Sequence, residues 1–401
     1  MNPEQTRVAI LGGISSEYLK PYIKEYADDA SAPVTFGGTN ISNLVVERLK
    51  RGWPTDVITF SPERGKSERI QRWGSGAGRL WILQSRDIPF RATRSYPSES
   101  AVLHRAFREA NPDLIHANWA YEYGWGALTQ AEIPVVLTPH DYADRILKLH
   151  GWRYFARWVM TQRCYRKAAF LTAPSPAVAE FAARRSGHPV TVIPNLMTDE
   201  FWERTSLLCK REGSALRVVS ALDWSSLKNT KNALRAFQIL KRTKPDAEYL
   251  LAGGGGLEPG GRAEQWAVAH GCAEGVRFLG RIPYSEMLAH IAGANILFHS
   301  SLEECMPGPV IEAMALMIPV VAAREASGSL WLLDGGICGR LSSGLDVEAM
   351  GRNLLAAVDQ QDATAAMVEQ AYFRARCLSR AQTVLDAYNR VYEEAICSFG
   401  D

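Results

Sequence analysis

The sequence predicts an α/β protein made of two doubly wound domains in tandem, on three observations. The first is alternation. Short apolar runs of strand length (RVAIL, TDVITF, DLIHA, PVVLT, FLTAPS, VTVIP) are separated by stretches with helical spacing such as NLVVERLKRG. That rhythm argues a parallel sheet with helices on both faces. The second is interruption: a polar, charged passage at 197–214 breaks the series, and a new one opens with LRVVSAL, EYLLAGGG, VRFLG, NILFHS and PVVAA. The third is size. At 401 residues, 47% of them hydrophobic, the chain exceeds one ordinary core and can fill two.

Taken in order, the first domain is expected over 1–197 and the second over 198–378. A closing amphipathic helix is expected over 379–401, where LSRAQTVLDAYNRVYEEAIC has apolar residues at helical spacing, and it is expected to pack back toward the first domain. The amino terminus, MNPEQTRVAILGG, has an acid before a short apolar run and no small-residue cleavage site, so it does not resemble a signal peptide. A cytoplasmic protein is expected. GSGAGR at 74–79 lacks the Lys-Ser or Lys-Thr ending of a P-loop and reads as a flexible loop. HANWAYEYGWGAL reads as aromatic core packing ahead of a stacking platform for a sugar or lipid. His140, Asp141 and Asp144 of HDYAD read as a polar strand-end loop, since three such residues with nothing else nearby are weak evidence for a metal.

The most apolar run, 310–323, is about two-thirds of the roughly 20 residues that a bilayer span needs, and it contains Glu312 and Pro319. No transmembrane helix is expected. Seven scattered cysteines without a CxxC pair argue against zinc and against a disulfide framework.

Net charge is +2, but residues 1–197 carry about 25 basic against about 18 acidic side chains. No acid occurs between Arg145 and Ala179, where Arg145, Lys148, Arg153, Arg157, Arg163, Arg166 and Lys167 alternate with Trp152, Tyr154, Phe155, Trp158 and Tyr165. Two readings stand for 145–170: an ordinary solvated helix face whose aromatics pack inward, or peripheral contact with an anionic membrane. Nucleic acid is not expected, because neither a high domain pI nor a binding motif accompanies the charge.

The passage FHSSLEECMPGPVIEAMALMIPVVA places Glu304 and Glu312 eight positions apart around a Met-Pro-Gly-Pro kink. NILFHS reads as a strand, so Glu303 and Glu304 leave its carboxyl end, where ligands bind in open α/β sheets. Pro309 suits the first turn of a helix, and Pro319 ends it. A helix start with free N–H groups accepts an anion, Gly308 allows close approach, and Met306, Gly308 and Val310 are the available donors. A carboxylate is acceptor-only and matches paired sugar hydroxyls. A phosphate flanked by hydroxyls describes a sugar nucleotide.

This segment resembles the E-x7-E motif of retaining glycosyltransferases with the GT-B fold, of the family 4 (group 1) type, in which two Rossmann-like domains face a central cleft. The resemblance implies that Glu304 contacts the donor sugar and Glu312 the ribose. GGTNISNLVVERLKRGWPTDVITF resembles the family's amino-terminal glycine loop and helix, which puts Gly37, Gly38 and Thr39 beside the donor diphosphate or the acceptor. VVLTPHDYA places His140 where the family has a histidine near the reacting sugar. VVSALDWSSLKNTKNALRAF resembles the segment carrying an arginine and a lysine for the diphosphate, giving Lys228 as that lysine and Lys231 as a second candidate. EYLLAGGGG gives Gly253 and Gly255 as the glycine turn, and VRFLGRIP gives Arg281 and Ile282 beside the base.

The chain departs from the pattern twice. The family arginine falls on Ala221, and the glycine of AMAxGxP is Met317, a change read as one of packing. The resemblance implies a UDP- or GDP-sugar donor, a saccharide or lipid-linked acceptor in envelope or exopolysaccharide synthesis, and no required metal. It also implies a mechanism in which the departing phosphate takes the acceptor's proton. A non-catalytic partner that keeps the fold stays open as the alternative, with Ala221 its support. A nicotinamide-dependent dehydrogenase is disfavoured, because RVAILGGISSE lacks the glycine fingerprint.

Overall fold

The computed structural model describes residues 2–130, 132–207 and 216–400, so the later part of the 197–214 passage lies outside the described residues. The chain divides into two compact units, Met1–Asp199 with Ser379–Asp401, and Glu200–Leu378.

The first unit holds an eight-stranded sheet: β1 (Val8–Leu11), β2 (Thr55–Phe60), β3 (Arg69–Trp73), β4 (Gly78–Gln84), β5 (Leu114–Asn118), β6 (Val135–Thr138), β7 (Phe170–Ala173) and β8 (Val190–Val192). Their order is β3-β4-β2-β1-β5-β6-β7-β8, and all the pairings are parallel except β3 with β4. Successive strand side chains face opposite ways. Val8 and Ile10 therefore join one core with helices Thr39–Lys50 and Ala381–Gly400, while Ala9 and Leu11 join another with helices Pro97–Ala110 and Phe155–Lys167. GSGAGR is not a loose loop. Gly74 turns the β3–β4 hairpin at φ 87°, and a Cβ there would stand 2.4 Å from the Gly78 carbonyl oxygen.

Helix Ala381–Gly400 belongs to this first unit because its apolar stripe (Val384, Leu385, Tyr388, Val391, Tyr392, Ala395) is buried in the first core. Burying each of the large side chains contributes about 2 kcal/mol. A polar chain locks its register: Tyr392 OH donates to His116 Nδ1 (2.8 Å), and His116 Nε2 donates to Thr138 Oγ1 (2.7 Å). Burial holds the His116 imidazole down at about 3, hence neutral. The crossing into the second unit is fixed at its start, where Glu47 Oε1 accepts from the Asp199 amide (3.0 Å) and Arg51 pairs with Asp199 (2.9 Å).

The second unit holds a six-stranded, all-parallel sheet: β9 (Arg217–Ala221), β10 (Glu248–Ala252), β11 (Val276–Gly280), β12 (Ile296–His299), β13 (Val320–Ala323) and β14 (Arg340–Ser342), in the order β11-β10-β9-β12-β13-β14. β9 and β12 are the central neighbours at which strand order reverses, so the loops at their carboxyl ends border the crevice where open α/β sheets bind ligands.

Candidate active site

In the second unit, the loops after β9 and β12 are fastened together. Leu302 N donates to the Leu227 carbonyl (2.8 Å), and Ser300 Oγ donates to the Lys228 carbonyl (2.8 Å). This brings Lys228 Nζ to 2.5 Å from Glu304 Oε1, with buried His299 Nε2 3.3 Å from the same oxygen. Burial alone would raise the Glu304 pKa, but His299 and Lys228 outweigh it and hold the carboxyl down at about 2. Glu304 is ionised throughout the neutral range. The Glu304 carbonyl accepts from Gly328 N (2.9 Å), an approach a side chain would block, since a Cβ there would fall 2.4 Å from the Cys305 oxygen.

Helix Gly308–Ala315 follows, with extended Pro307 as N-cap and Pro309 in its first turn. Met306 is buried just before it, and Val310 is fully buried one turn in. The N–H groups of a helix's first turn have no intrahelical acceptor. Glu312 lies back over this end: its Oε1 is 3.6 Å from where a Cβ on Gly308 would stand. The Glu312 side chain is only 5% exposed. Burial pushes its carboxyl up to about 7, and a hydrogen bond from Tyr284 works against that rise. The two glutamates thus differ sharply, Glu304 held ionised by Lys228 and His299 and Glu312 poised near neutrality by burial.

Around the ends of β10 and β11, Gly253 adopts φ 138° and donates to the Gly280 carbonyl (2.8 Å), and a Cβ there would overlap the Leu222 carbonyl oxygen at 1.6 Å. Gly255 takes φ 72°, with its carbonyl accepting from Arg262 (3.1 Å). The Arg281 side chain crosses Gly254 so closely that a Cβ there would sit 2.6 Å from Arg281 Nε. Among the described residues, Arg281 makes no ion pair, side-chain hydrogen bond or ring contact. Ile282 follows it, and Pro283 caps the helix that begins with Tyr284. Ala221 ends β9 opposite Ala252. Lys231 is engaged elsewhere, its Nζ 5.6 Å from the ring centres of both Trp224 and Trp266.

Met317 stands at φ 57°, just past the end of helix Gly308–Ala315. That is the left-handed helix-terminating position glycine fills without strain, so the substitution concerns backbone conformation and corrects the expectation of packing.

In the first unit, two glycine pairs meet at the carboxyl end of β1. Gly38 N donates to the Gly13 carbonyl (3.1 Å), and a Cβ on Gly37 would stand 1.8 Å from that oxygen. Gly38 caps the helix that starts at Thr39. His140, past the end of β6, uses both ring nitrogens. Asn118 Nδ2 donates to the Leu11 carbonyl (2.9 Å), which turns Asn118 Oδ1 toward His140 Nε2 (2.8 Å); Asn40 Nδ2 reaches His140 Nδ1 at 3.3 Å. His140 is therefore a neutral imidazole protonated on Nε2, and burial holds it down at about 4. Its neighbours in HDYAD point to other partners: Asp141 accepts from Tyr121 OH (2.7 Å), and Asp144 accepts from Trp158 Nε1 (2.6 Å) and pairs with Arg185. In HANWAYEYGWGAL, Tyr123 is buried with its OH on the Phe60 amide (3.0 Å).

Sequence reasoning missed His299 and Tyr284. A histidine ending an apolar strand five residues before Glu304 was the available signal for the first. Nothing local connects Tyr284 to Glu312.

Two family models match: a glycosyl transferase 4-like domain over residues 37–196, and glycosyl transferases group 1 over residues 215–374, together most of the chain. The chain belongs to the group 1 glycosyltransferases. This glycosyltransferase is 27% identical over 309 residues to an MMP α-(1→4)-mannosyltransferase of Mycolicibacterium hassiacum, covering 73% of this chain and 72% of the relative. It is 25% identical over 221 residues to a putative teichuronic acid biosynthesis glycosyltransferase, TuaC, of Bacillus subtilis, covering 53% and 54%. Its fold matches sucrose-phosphate synthase from Thermosynechococcus elongatus (TM-score 0.76, 18% identity, 98% of this chain and all of that one). It also matches HepE of Anabaena in complex with UDP and glucose (TM-score 0.68, 17% identity, 97% of this chain and all of that one). The glycosyltransferase thus has the GT-B fold, two Rossmann-like α/β domains.

Proposed function

We propose that the enzyme is a retaining glycosyltransferase moving a hexosyl group from a UDP- or GDP-sugar to a saccharide or lipid-linked acceptor, in envelope or exopolysaccharide synthesis at the cytoplasmic side of the membrane. The observation that carries this reading is the pairing of ionised Glu304, held by Lys228 and His299, with Glu312 lying over a helix start. The names of the two curated relatives, and the UDP and glucose bound by HepE, support the donor class and the setting.

In this reading Glu304 orients the donor sugar and Glu312 accepts from the ribose hydroxyls. The N–H groups of Met306, Gly308 and Val310 face the diphosphate with the positive end of the helix behind them. Gly253 and Gly255 let the nucleotide approach the backbone, and Ile282 borders the base. Arg281, whose charge is uncommitted, supplies the positive charge that Ala221 lacks. Lys228 stabilises the leaving group; Lys231, held between two tryptophans, is its reserve. Gly37, Gly38 and Thr39 line the diphosphate or acceptor side, and His140 exchanges the long Asn40 contact for a substrate hydroxyl at Nδ1. The bond from the sugar's anomeric carbon to the β-phosphate oxygen breaks, and the acceptor oxygen bonds that carbon on the same face. The acceptor's proton passes to the phosphate oxygen. Positioning and charge do the protein's part, with no bound metal.

A thermal-shift panel of UDP-, GDP-, ADP- and dTDP-sugars on the wild type and on Glu312→Ala tests the donor site. A donor at about 100 times its Kd adds roughly 2.7 kcal/mol of stability. One nucleotide series should stabilise the wild type and lose its effect in the variant, and NMR of the product should show the donor's anomeric configuration retained. Ala221 favours a second reading, a non-catalytic partner of another transferase. Donor binding without product from the isolated chain, across acceptors, selects it.

A further inference from the structure

The acid-free run at 145–170 is not one amphipathic helix. It folds as helix Ala143–His150, a turn at Trp152–Tyr154, and helix Phe155–Lys167 leading into β7. The side chains of Leu149, His150 and Arg153 lie outside the described residues. Part of the run packs inward: Tyr165 is fully buried, and Arg157 is enclosed by Tyr96, Tyr121 and Tyr154. What remains outside is distinctive. Trp152 is 82% exposed, stands 5.3 Å from half-exposed Phe155, and continues into Trp158, which is anchored to Asp144. A second exposed aromatic, Phe90 at 79%, sits on the loop before helix Pro97–Ala110. That loop is tied to the same helix by Arg157 Nε to Tyr96 OH (3.1 Å) and Arg163 Nη1 to Ser95 Oγ (3.3 Å).

The same segments carry cations without ion partners: Arg94, Lys148, Arg163, Arg166 and Lys167 are exposed and make no ion pair among the described residues. Of the acids on these segments, Glu99 is buried on Arg91 and Asp144 pairs with Arg185, while exposed Asp87 lies 3.8 Å from Arg64.

We propose that Trp152, Phe155 and Phe90, with the exposed cations of this loop and of helices Ala143–His150 and Phe155–Lys167, form a docking surface for an anionic lipid membrane. Amphipathic rings settle at the headgroup level, and cations on the same surface are drawn to anionic lipid, so the two features act together. A folded protein partner would have to present acids to these cations and apolar cover to the rings together, whereas an anionic lipid surface supplies both at once. No described helix is long and apolar enough to cross a bilayer, so the attachment is peripheral.

The test is sedimentation of the full chain with phosphatidylserine–phosphatidylcholine vesicles and with pure phosphatidylcholine vesicles, at low and high salt. The wild type should pellet with the anionic vesicles at low salt, weakly with neutral ones, and less as salt rises. Neutralising Arg163, Arg166 and Lys167 together to Gln should cut partitioning by roughly fivefold per charge. The exposed pair Trp152→Ala and Phe90→Ala should weaken binding at unchanged charge. Unchanged melting temperatures certify that the variants are folded. Failure of the wild type to pellet at low salt overturns the proposal, as does binding that the charge variant retains or that the aromatic variant leaves unaltered. Retention on RNA without vesicle binding reassigns the surface to nucleic acid. The readout is binding alone, so it stands or falls separately from transferase activity.

Discussion

Glu312 gives the sharpest quantitative prediction. Burial lifts its carboxyl from an ordinary 4.5 to about 7, despite the Tyr284 hydrogen bond. A carboxyl whose folded pKa is raised holds its proton more tightly when folded. The free protein therefore loses stability as pH rises from 4.5 through 7, by about 3 kcal/mol in all. Ribose hydroxyls donate to the ionised form, so below pH 7 a donor must bind a population that is mostly protonated. Between pH 8 and pH 6, donor affinity should fall roughly tenfold. Glu312→Gln keeps the shape and removes the titration. Without donor it should melt higher than the wild type at pH 8 and equally at pH 4, and its weakened donor affinity should not vary with pH. Calorimetric titration with the intact nucleotide sugar, whose diphosphate has no proton to exchange in this range, measures the effect. A wild-type Kd that is flat from pH 5.5 to 8.5, or a Gln variant that keeps the slope, refutes the assignment.

Lys228→Met should lower kcat by roughly 10²- to 10³-fold, as expected for loss of one charge on a leaving group, with donor affinity changed far less; equal loss in both would mark a binding residue. Gly37→Ala, which forces a Cβ to 1.8 Å from the Gly13 oxygen, should lower the stability of the first unit by at least about 2 kcal/mol in a denaturant melt. Met317→Gly should raise the stability of the second unit by about 1 kcal/mol through relief of a left-handed residue. Tyr392→Phe leaves buried His116 Nδ1 without its donor and should cost about 1–3 kcal/mol. Because His116 is held near 3 when folded, stability of the first unit should fall as pH drops below 6.5, where the unfolded chain takes up the proton first.

Much of this fold was legible because parallel strands buried on both faces appear as unbroken apolar runs. The omitted strands lack that signal. In β3, RIQRW buries only Trp73; β4 is masked by the glycine run that turns out to be its hairpin; β14 is three residues long. At the candidate site, residue type and spacing placed Glu304 past a strand end and Glu312 on a helix starting between the two, as the structure has them. Contacts across sequence distance did not show. Lys231 stands in the sequence as a second candidate beside Lys228, and only the fold brings Trp266, 35 positions on, to its side. Ala221 advertised a missing charge, but only the packing of Arg281 over Gly254 pointed to a replacement.

The second unit is, in sequence, an insertion in the first. The chain leaves the first unit after Asp199 and re-enters at Ser379, where the Met197 amide donates to the Ser379 carbonyl (2.8 Å). On a ribosome, which releases the chain from its amino end, the order of completion is therefore inverted. The sheet β1–β8 emerges early but waits with one face only partly covered, by helix Thr39–Lys50, until residues 381–400 have been made, while Glu200–Leu378 can close first. A nascent chain stalled or cleaved before Tyr392 should carry a finished second unit and an apolar first one, which makes that interval the period when a chaperone is needed.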